Sequence, residues 1–443
     1  MQGFPREIIT KPISEPDFEA DTGAREAVAG VELLRILSLY SGLHDYASVE
    51  SFISSFESAL KESGLTGYYL GAFTALQESL RARNAVVFVA TGGTSGLGYR
   101  LLRDVENVYV VYHEEHNSLA SALNLASMLK HDGKRVRMLS MEAFSGVALK
   151  LSRALAGLER VYGGKILVVG SLQHWSQQVG VSSYLKKHFG VELELVELEA
   201  LLKEAAEVSL EDSEAHAREL VARAEEVRVG FQDVVYATSI YLALKKIAES
   251  RRASNVALRC FDLLKALGRT GCIAVAELIR EGIIAGCEAD VAATVVMRVL
   301  REIAGRDPWV ANVSGLWDRE LELSHCVISR SITKSYRLVT HFESGKATSI
   351  EGIVEEGLPA TIVSYDPPRS LWRVIEARVT RGSPASSRKC RTQVRLQTSP
   401  QAIKEILEDP IEGHYVAVFS NVVEEASLAG ELAGLNVQTL KMT

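Results

Sequence analysis

Residues able to do chemistry gather between Cys272 and Lys346. Glu288 and Asp290 stand where an apolar segment, IIAGC, meets a helical one, VAATVVMRVLREIAG. His325 and His341 follow on short apolar runs, and His414 arrives much later in EGHYVAVFS. Carboxylates and imidazoles converging from separate elements are what a metal site with oxygen and nitrogen donors requires. Other readings stand beside this one. Asp290 has the type and position of a helix N-cap for the segment ending at Gly305. His325 and His341 alternate with apolar neighbours, which suits hydrogen-bonded histidines in the wall of a sheet. Cys287 and Cys326 read as small buried residues.

The elements that must hold these residues follow from length and pattern. A chain of 443 residues is too long for one core, and about two to four domains are expected. The net charge of −7 removes the basic field that nucleic acid or an anionic membrane would need, so neither is expected as a partner. No apolar run approaches the roughly 20 residues of a bilayer span. The first residues carry Glu, Asp and Pro rather than a basic and then apolar signal, and a cytoplasmic location is expected. The five cysteines lack CxxC pairing, which points to reduced, mostly buried thiols.

Residues 1–30 read as an arm. Strand and helix patterns then alternate: strand Leu34–Tyr40, helix Ser48–Lys61, a short strand Gly67–Phe73 and a helix up to Arg83. Strand Ala85–Ala90 ends in the turn TGGTSGLG, followed by strand Val108–Tyr112, helix Ser118–His131 and strand Val136–Leu139. A second unit opens at Lys165 with ILVVG and continues with strand Val191–Val196. A helical region, Ser209–Glu249, begins with the capping sequence SLED, before strand Asn255–Phe261 and helices through Gly305. From Trp309 the texture changes to short alternating segments such as LELSHCVIS, PATIVSY and LWRVIEARV. The pattern predicts an α/β protein with two doubly wound parallel-sheet units, 31–160 and 161–306. A β-rich unit, 307–443, follows as an antiparallel sheet or small barrel.

One motif points elsewhere. TGGTSGLG, Thr91–Gly98, looks like the dinucleotide-binding turn of short-chain dehydrogenases, and YLALK, Tyr241–Lys245, has their Tyr-x-x-x-Lys spacing. That reading, an NAD(P)-dependent dehydrogenase, stays as an alternative. Against it, two βα units precede the glycine turn, and Arg228 and Val229 stand where a serine is needed. Leu242, Leu244 and Ile247 give the Tyr241 helix core spacing.

A resemblance covers more of the chain. CEADV at Cys287–Val291, the helix through Met297, WVANV, SHC and HFESGK resemble the L-fucose isomerase family and its wider L-arabinose isomerase superfamily. GGTSG from Gly92, HNSLASALNLASML from His116, KILVVGSLQHW from Lys165, VALRCFDLL from Val256 and GHYVAVFS from Gly413 extend it in the same order over about residues 31 to 440. The resemblance implies aldose–ketose isomerisation of an open-chain sugar through a cis-enediol, with a divalent cation, usually Mn2+, as cofactor. It also implies a homotrimer or homohexamer. Carried over, Glu288 matches the metal-binding glutamate that also serves as acid/base, and His414 matches the C-terminal histidine ligand. The second carboxylate falls on Asn312, which can offer a neutral carbonyl to a metal but cannot accept a proton. Either Asp290, Asp318 or Glu343 replaces it, or the reaction is altered or lost, leaving a sugar-binding or regulatory relative. Gly93 and Thr94 in the glycine turn, Trp175, Asp290, His325 and His341 complete the candidate sugar contacts. His341 gains weight because related arabinose isomerases carry an extra histidine ligand in a comparable place. Trp175 equally suits packing, and His113 and His116 either a ligand-facing strand end or a solvated loop.

Overall fold

The computed structural model describes residues 32–75 and 78–442, and the expected arm lies outside them. Runs of buried branched residues build a first sheet from β1 (Glu32–Leu39), β2 (Tyr69–Phe73), β3 (Ala82–Val89), β4 (Asn107–Tyr112) and β5 (Arg135–Ser140). All pair in parallel, in the order β2-β1-β3-β4-β5. Helices α1 (Tyr46–Glu62), α2 (Ser95–Leu101), α3 (Ser118–His131) and α4 (Met141–Glu159) connect and cover it. Neighbours such as Ile36 and Leu37, or Val86 and Val87, feed separate apolar cores, so both faces of this sheet are buried. The helix expected to run up to Arg83 is absent among the described residues, and β3 begins there instead. Polar residues extend that strand because they find partners. The Asn84 amide donates to the Leu33 and Leu432 carbonyls at 2.7 and 3.0 Å, and the Arg83 guanidinium donates to those of Lys187 and His188 at 2.7 and 2.6 Å.

The chain then runs through β6 (Lys165–Val169), α5 (His174–Gln178), α6 (Val181–Phe189), β7 (Glu192–Val196), α7 (Leu198–Glu207), α8 (Leu210–Arg223) and β8 (Glu226–Val227). It continues with α9 (Phe231–Ser250), β9 (Asn255–Leu258), α10 (Cys260–Leu267), α11 (Cys272–Arg280), β10 (Ile284–Cys287) and α12 (Val291–Ala304). The second sheet, β10-β9-β6-β7, is again parallel. The helical region expected over 209–249 breaks at β8, whose backbone is claimed by a later strand. The strand expected to reach Phe261 stops at Leu258, where α10 begins two residues on.

The remainder is β11 (Trp309–Leu316), β12 (Glu320–His325), β13 (Ser335–Val339), β14 (Ser349–Ile353), β15 (Pro359–Asp366), β16 (Leu371–Arg381), β17 (Thr392–Gln397), α13 (Pro400–Glu408), β18 (Tyr415–Val418), α14 (Val423–Leu432) and β19 (Asn436–Leu440). Strands β15-β18-β11-β12-β17-β16 are antiparallel neighbours, and pairing of β15 with β16 closes them into a six-stranded barrel. Strand β19 adds in parallel to β16, and β13 joins β14 to β8 in a small separate sheet. No described helix is long and apolar enough to cross a membrane.

Helix α12 sits between the second sheet, the barrel and α4, which explains why every residue from Val291 to Leu300 is buried. Its first turn is packed hard against β10. A Cβ placed on Gly286 would overlap the Thr294 hydroxyl, which donates to the Asp290 carbonyl at 2.7 Å. Gly286→Ala should therefore cost about 1–3 kcal/mol of stability through overpacking. Adding Thr294→Ala should restore most of it, since the Thr294 N–H still reaches the same carbonyl. Denaturant midpoints of the two single variants and the double variant measure this, and additive losses would show that the two sites do not meet.

Candidate metal centre

Three elements deliver the group that the sequence placed far apart. Glu288 follows β10 in the left-handed region, at φ +58°, and Ala289 continues there at +55°. Consecutive non-glycine residues in this region are costly and persist only where their surroundings fix them. Here the Ala289 N–H donates to the Leu258 carbonyl at 3.0 Å, the Asp290 N–H donates to that of Cys287 at 3.1 Å, and the Arg259 guanidinium donates to the Glu288 carbonyl at 3.1 Å. His325 ends β12, paired with Thr392 of β17. His414 enters β18 just after Gly413, whose φ is +94° and where a Cβ would come within 3.0 Å of the Asp290 carboxylate. Only glycine lets the strand approach so closely.

Oε1 of Glu288 lies 3.8 Å from Nε2 of His325 and 3.8 Å from Nε2 of His414. One donor atom from each residue falls within 4.8 Å of the others. The two imidazole side chains are 5% and 2% exposed, whereas the carboxylate is 24% exposed, so the group is closed behind and open in front. A separation of 3.8 Å is too long for a hydrogen bond. It is close enough for the donors to draw in around one ion at about 2.0–2.2 Å from each. His414 Nε2 is buried with no hydrogen-bond partner, as an unspent ligand atom would be. The residues present therefore fit a divalent metal.

Asp290 organises this group from behind. Its Oδ1 accepts from the Ala293 N–H at 2.9 Å, capping α12, and its Oδ2 accepts from the His414 backbone N–H at 3.1 Å. The same oxygen lies 2.9 Å from His414 Nδ1. A carboxylate there keeps the proton on Nδ1 and turns Nε2, the nitrogen a metal would take, toward Glu288. Burial opposes a charge on His414, but Asp290 and then Glu288 outweigh it and raise the imidazole from 6.5 to about 10. Burial likewise opposes ionisation of Glu288, yet the His325 and His414 rings hold its carboxyl well below the usual range.

The other sequence candidates sit elsewhere. Asn312, on β11 opposite Ser324 and beside the His325 strand, has an exposed side chain and is not a hydrogen-bond partner of the three residues. Asp318 and Glu343 are exposed and outside the group, and Asp290 is committed to His414. His341 is buried in a turn with Nδ1 3.2 Å from the Ser344 hydroxyl. Trp175 is half-buried on α5. Gly93 is exposed at φ +77°, while the Thr94 hydroxyl is buried and donates to the Thr91 carbonyl at 3.0 Å. His113 stacks on Phe52 at 4.0 Å, with Nε2 2.8 Å from the Ala90 carbonyl. Tyr241 is buried and Lys245 pairs with Glu281 at 2.8 Å, so neither half of the Tyr-x-x-x-Lys motif is free for a nicotinamide substrate. All five cysteines are free thiols, with Cys260 and Cys287 Sγ atoms 3.3 Å apart directly beneath the Glu288 turn.

Arg259 was not singled out by the sequence. The available signal was its place at the carboxyl end of a short buried strand, where open α/β sheets present ligand contacts.

No protein-family profile matches the chain. Over 126 residues it is 29% identical to proteins named sulfoquinovose isomerase in Priestia aryabhattai and Priestia megaterium. The aligned segment spans 27% of this chain and 27% of each relative.

In the metal-free protein, folding raises the His414 value from 6.5 to about 10, so the folded state holds a proton that the unfolded chain releases. That contribution to stability is fully present below pH 6.5 and is lost as the pH rises through about 10. Asp290→Asn should weaken the decline by removing the charge that raises His414. Unfolding midpoints in chelator between about pH 6 and about pH 10 test this, and equal slopes for the two proteins would contradict it.

Proposed function

We propose that the chain is a metal-dependent isomerase that interconverts an aldose and its ketose, of the L-fucose isomerase-like kind. The observation that carries this reading is the convergence of Glu288, His325 and His414, with Glu288 Oε1 3.8 Å from both imidazoles. The 29% identity to proteins named sulfoquinovose isomerase supports the reaction class, as does the ordered resemblance along the chain. The same resemblance supports a homotrimeric or homohexameric assembly.

Glu288, His325 and His414 would hold the metal, and one carboxylate with two imidazoles leaves coordination positions for substrate oxygens. A divalent ion there, most simply manganese, would supply Lewis acidity to the carbonyl and neighbouring hydroxyl of an open-chain sugar. Glu288 is the most exposed member of the group, so its carboxylate is the base that takes the proton from one carbon and returns it to the next, while the proton of the neighbouring hydroxyl passes to the carbonyl oxygen. Arg259 fixes the Glu288 backbone, and Asp290 fixes the His414 ring. Asn312 can donate to or accept from a sugar hydroxyl but cannot carry the proton, which leaves both transfers to one base. A second reading, a sugar-binding relative without turnover, is favoured by that same asparagine.

Purified protein with manganese should convert at least one aldose in a panel of pentoses, 6-deoxyhexoses and a 6-sulfonated 6-deoxyhexose. Glu288→Gln should lower kcat about 10²–10⁴-fold, and Asp290→Ala should weaken metal binding about 10–100-fold. No conversion of any sugar, together with no bound metal, would overturn the reading. Sugar binding indifferent to chelator and without turnover would favour the second, as would activity that appears only in Asn312→Asp.

A further inference from the structure

The second sheet reverses its winding between β6 and β9, since the chain leaves β6 toward β7 on one side and returns to β9 on the other. The crevice at such a point, outside the carboxyl ends of the strands, is where open α/β sheets take ligands. Arg259 stands at this point, immediately after β9. Gly170, just after β6, packs directly against it: a Cβ there would come within 2.9 Å of the Arg259 Cβ and 3.1 Å of the Asp262 carboxylate. The loop from β10 that carries Glu288 lies on its other side.

The guanidinium there is half-buried and has no carboxylate partner among the described residues. Nη1 is tied to the Glu288 carbonyl at 3.1 Å, and Nε is buried with nothing to bond. The carboxylate nearest in the chain, Asp262, instead accepts from the backbone N–H and hydroxyl of Ser171 at 3.2 and 2.9 Å. Withdrawing an arginine from water without a counter-charge is costly, and its planar fork matches oxyanions two bonds at a time. A charge left unpaired and bonded to the backbone of Glu288 stands beside the metal group, where it can meet an anionic part of a substrate held there.

We propose that Arg259 is an anion-binding subsite, and that the substrate is an aldose bearing a sulfonate or phosphate at the end remote from its carbonyl. Nη2, which is neither bonded nor sealed off, takes the oxyanion while Nη1 keeps its bond to Glu288, so one side chain couples recognition of the tail to placement of the base. This rests on the isomerase reading for the identity of the reacting end, but the anion subsite itself does not.

The test uses the full-length, manganese-loaded protein and two readouts. By calorimetry, glucitol 6-phosphate and its 6-sulfonate analogue, which cannot isomerise, are compared with glucitol. At least one anionic compound should bind about 10- to 100-fold more tightly, as expected for a hydrogen bond to a charged group. Arg259→Gln should erase that difference, and Arg259→Lys should keep part of it. Whether the sulfonate or the phosphate gains more identifies the anion. By turnover, glucose 6-phosphate and 6-deoxy-6-sulfoglucose are compared with glucose, and kcat/KM should favour an anionic sugar by a similar factor. The inference is overturned if neither anionic alditol binds, if the neutral one binds equally well, or if Arg259→Gln weakens all of them alike. Arg259-dependent anion binding without turnover of any sugar would overturn the isomerase reading and leave this one standing. Turnover of neutral sugars without an anion preference would do the reverse.

Discussion

The contact between Asp290 and His414 carries more of this structure than any other single interaction. One buried carboxylate caps α12, accepts the backbone N–H of His414 and aligns its ring. The first of these contacts belongs to the parallel second sheet and the other two to the antiparallel barrel, so a single side chain ties two architectures in register. Removing one member of a buried charged pair typically costs about 3–5 kcal/mol because the other is stranded. Placed between two layers, that cost falls on their relative position as well as on stability.

Around this contact the fold keeps the remaining groups from drifting. Closing β15 onto β16 leaves the barrel's six strands without a free edge, and strand ends in a closed barrel are fixed by every neighbour at once. His325 and His414 come from such ends. Glu288, by contrast, comes from a left-handed turn that would relax if unsupported, and its supports are polar: two backbone hydrogen bonds and the Arg259 guanidinium. The barrel thus supplies the two rigidly held candidate ligands and the sheet supplies the strained one. Strain held in place by its surroundings is a common way to aim a reactive group.

Periodicity made some of this legible. Helix α3 occupies the residues its apolar spacing predicts, and the alternation after Trp309 is that of the barrel. The Glu288–Asp290 turn was visible because a short apolar strand runs directly into a helix. What stayed hidden depends on contacts distant in sequence. Strand β3 starts early because Asn84 and Arg83 find carbonyls far along the chain, and the helical run after Ser209 is interrupted because β8 pairs with β13. Within the site, sequence order could not decide between Asn312 and His325, which sit on adjacent strands of one hairpin. The partnership of Asp290 with a histidine 124 residues away has no local signature at all. Arg259 was concealed for a different reason. An arginine after a strand is common, and what sets this one apart is its bond to the Glu288 backbone with no carboxylate partner among the described residues.

The distance in sequence between the turn bearing Glu288 and His414 has a consequence for biosynthesis. The second sheet, with its strained turn and its carboxylates, can leave the ribosome and fold while the last strands of the barrel are still untranslated. Until residue 414 emerges, only Glu288 and His325 of the three-residue group are present. A prematurely terminated product is in the same condition. If the group holds a metal as proposed, ion capture would have to wait for the barrel strand that follows residue 414.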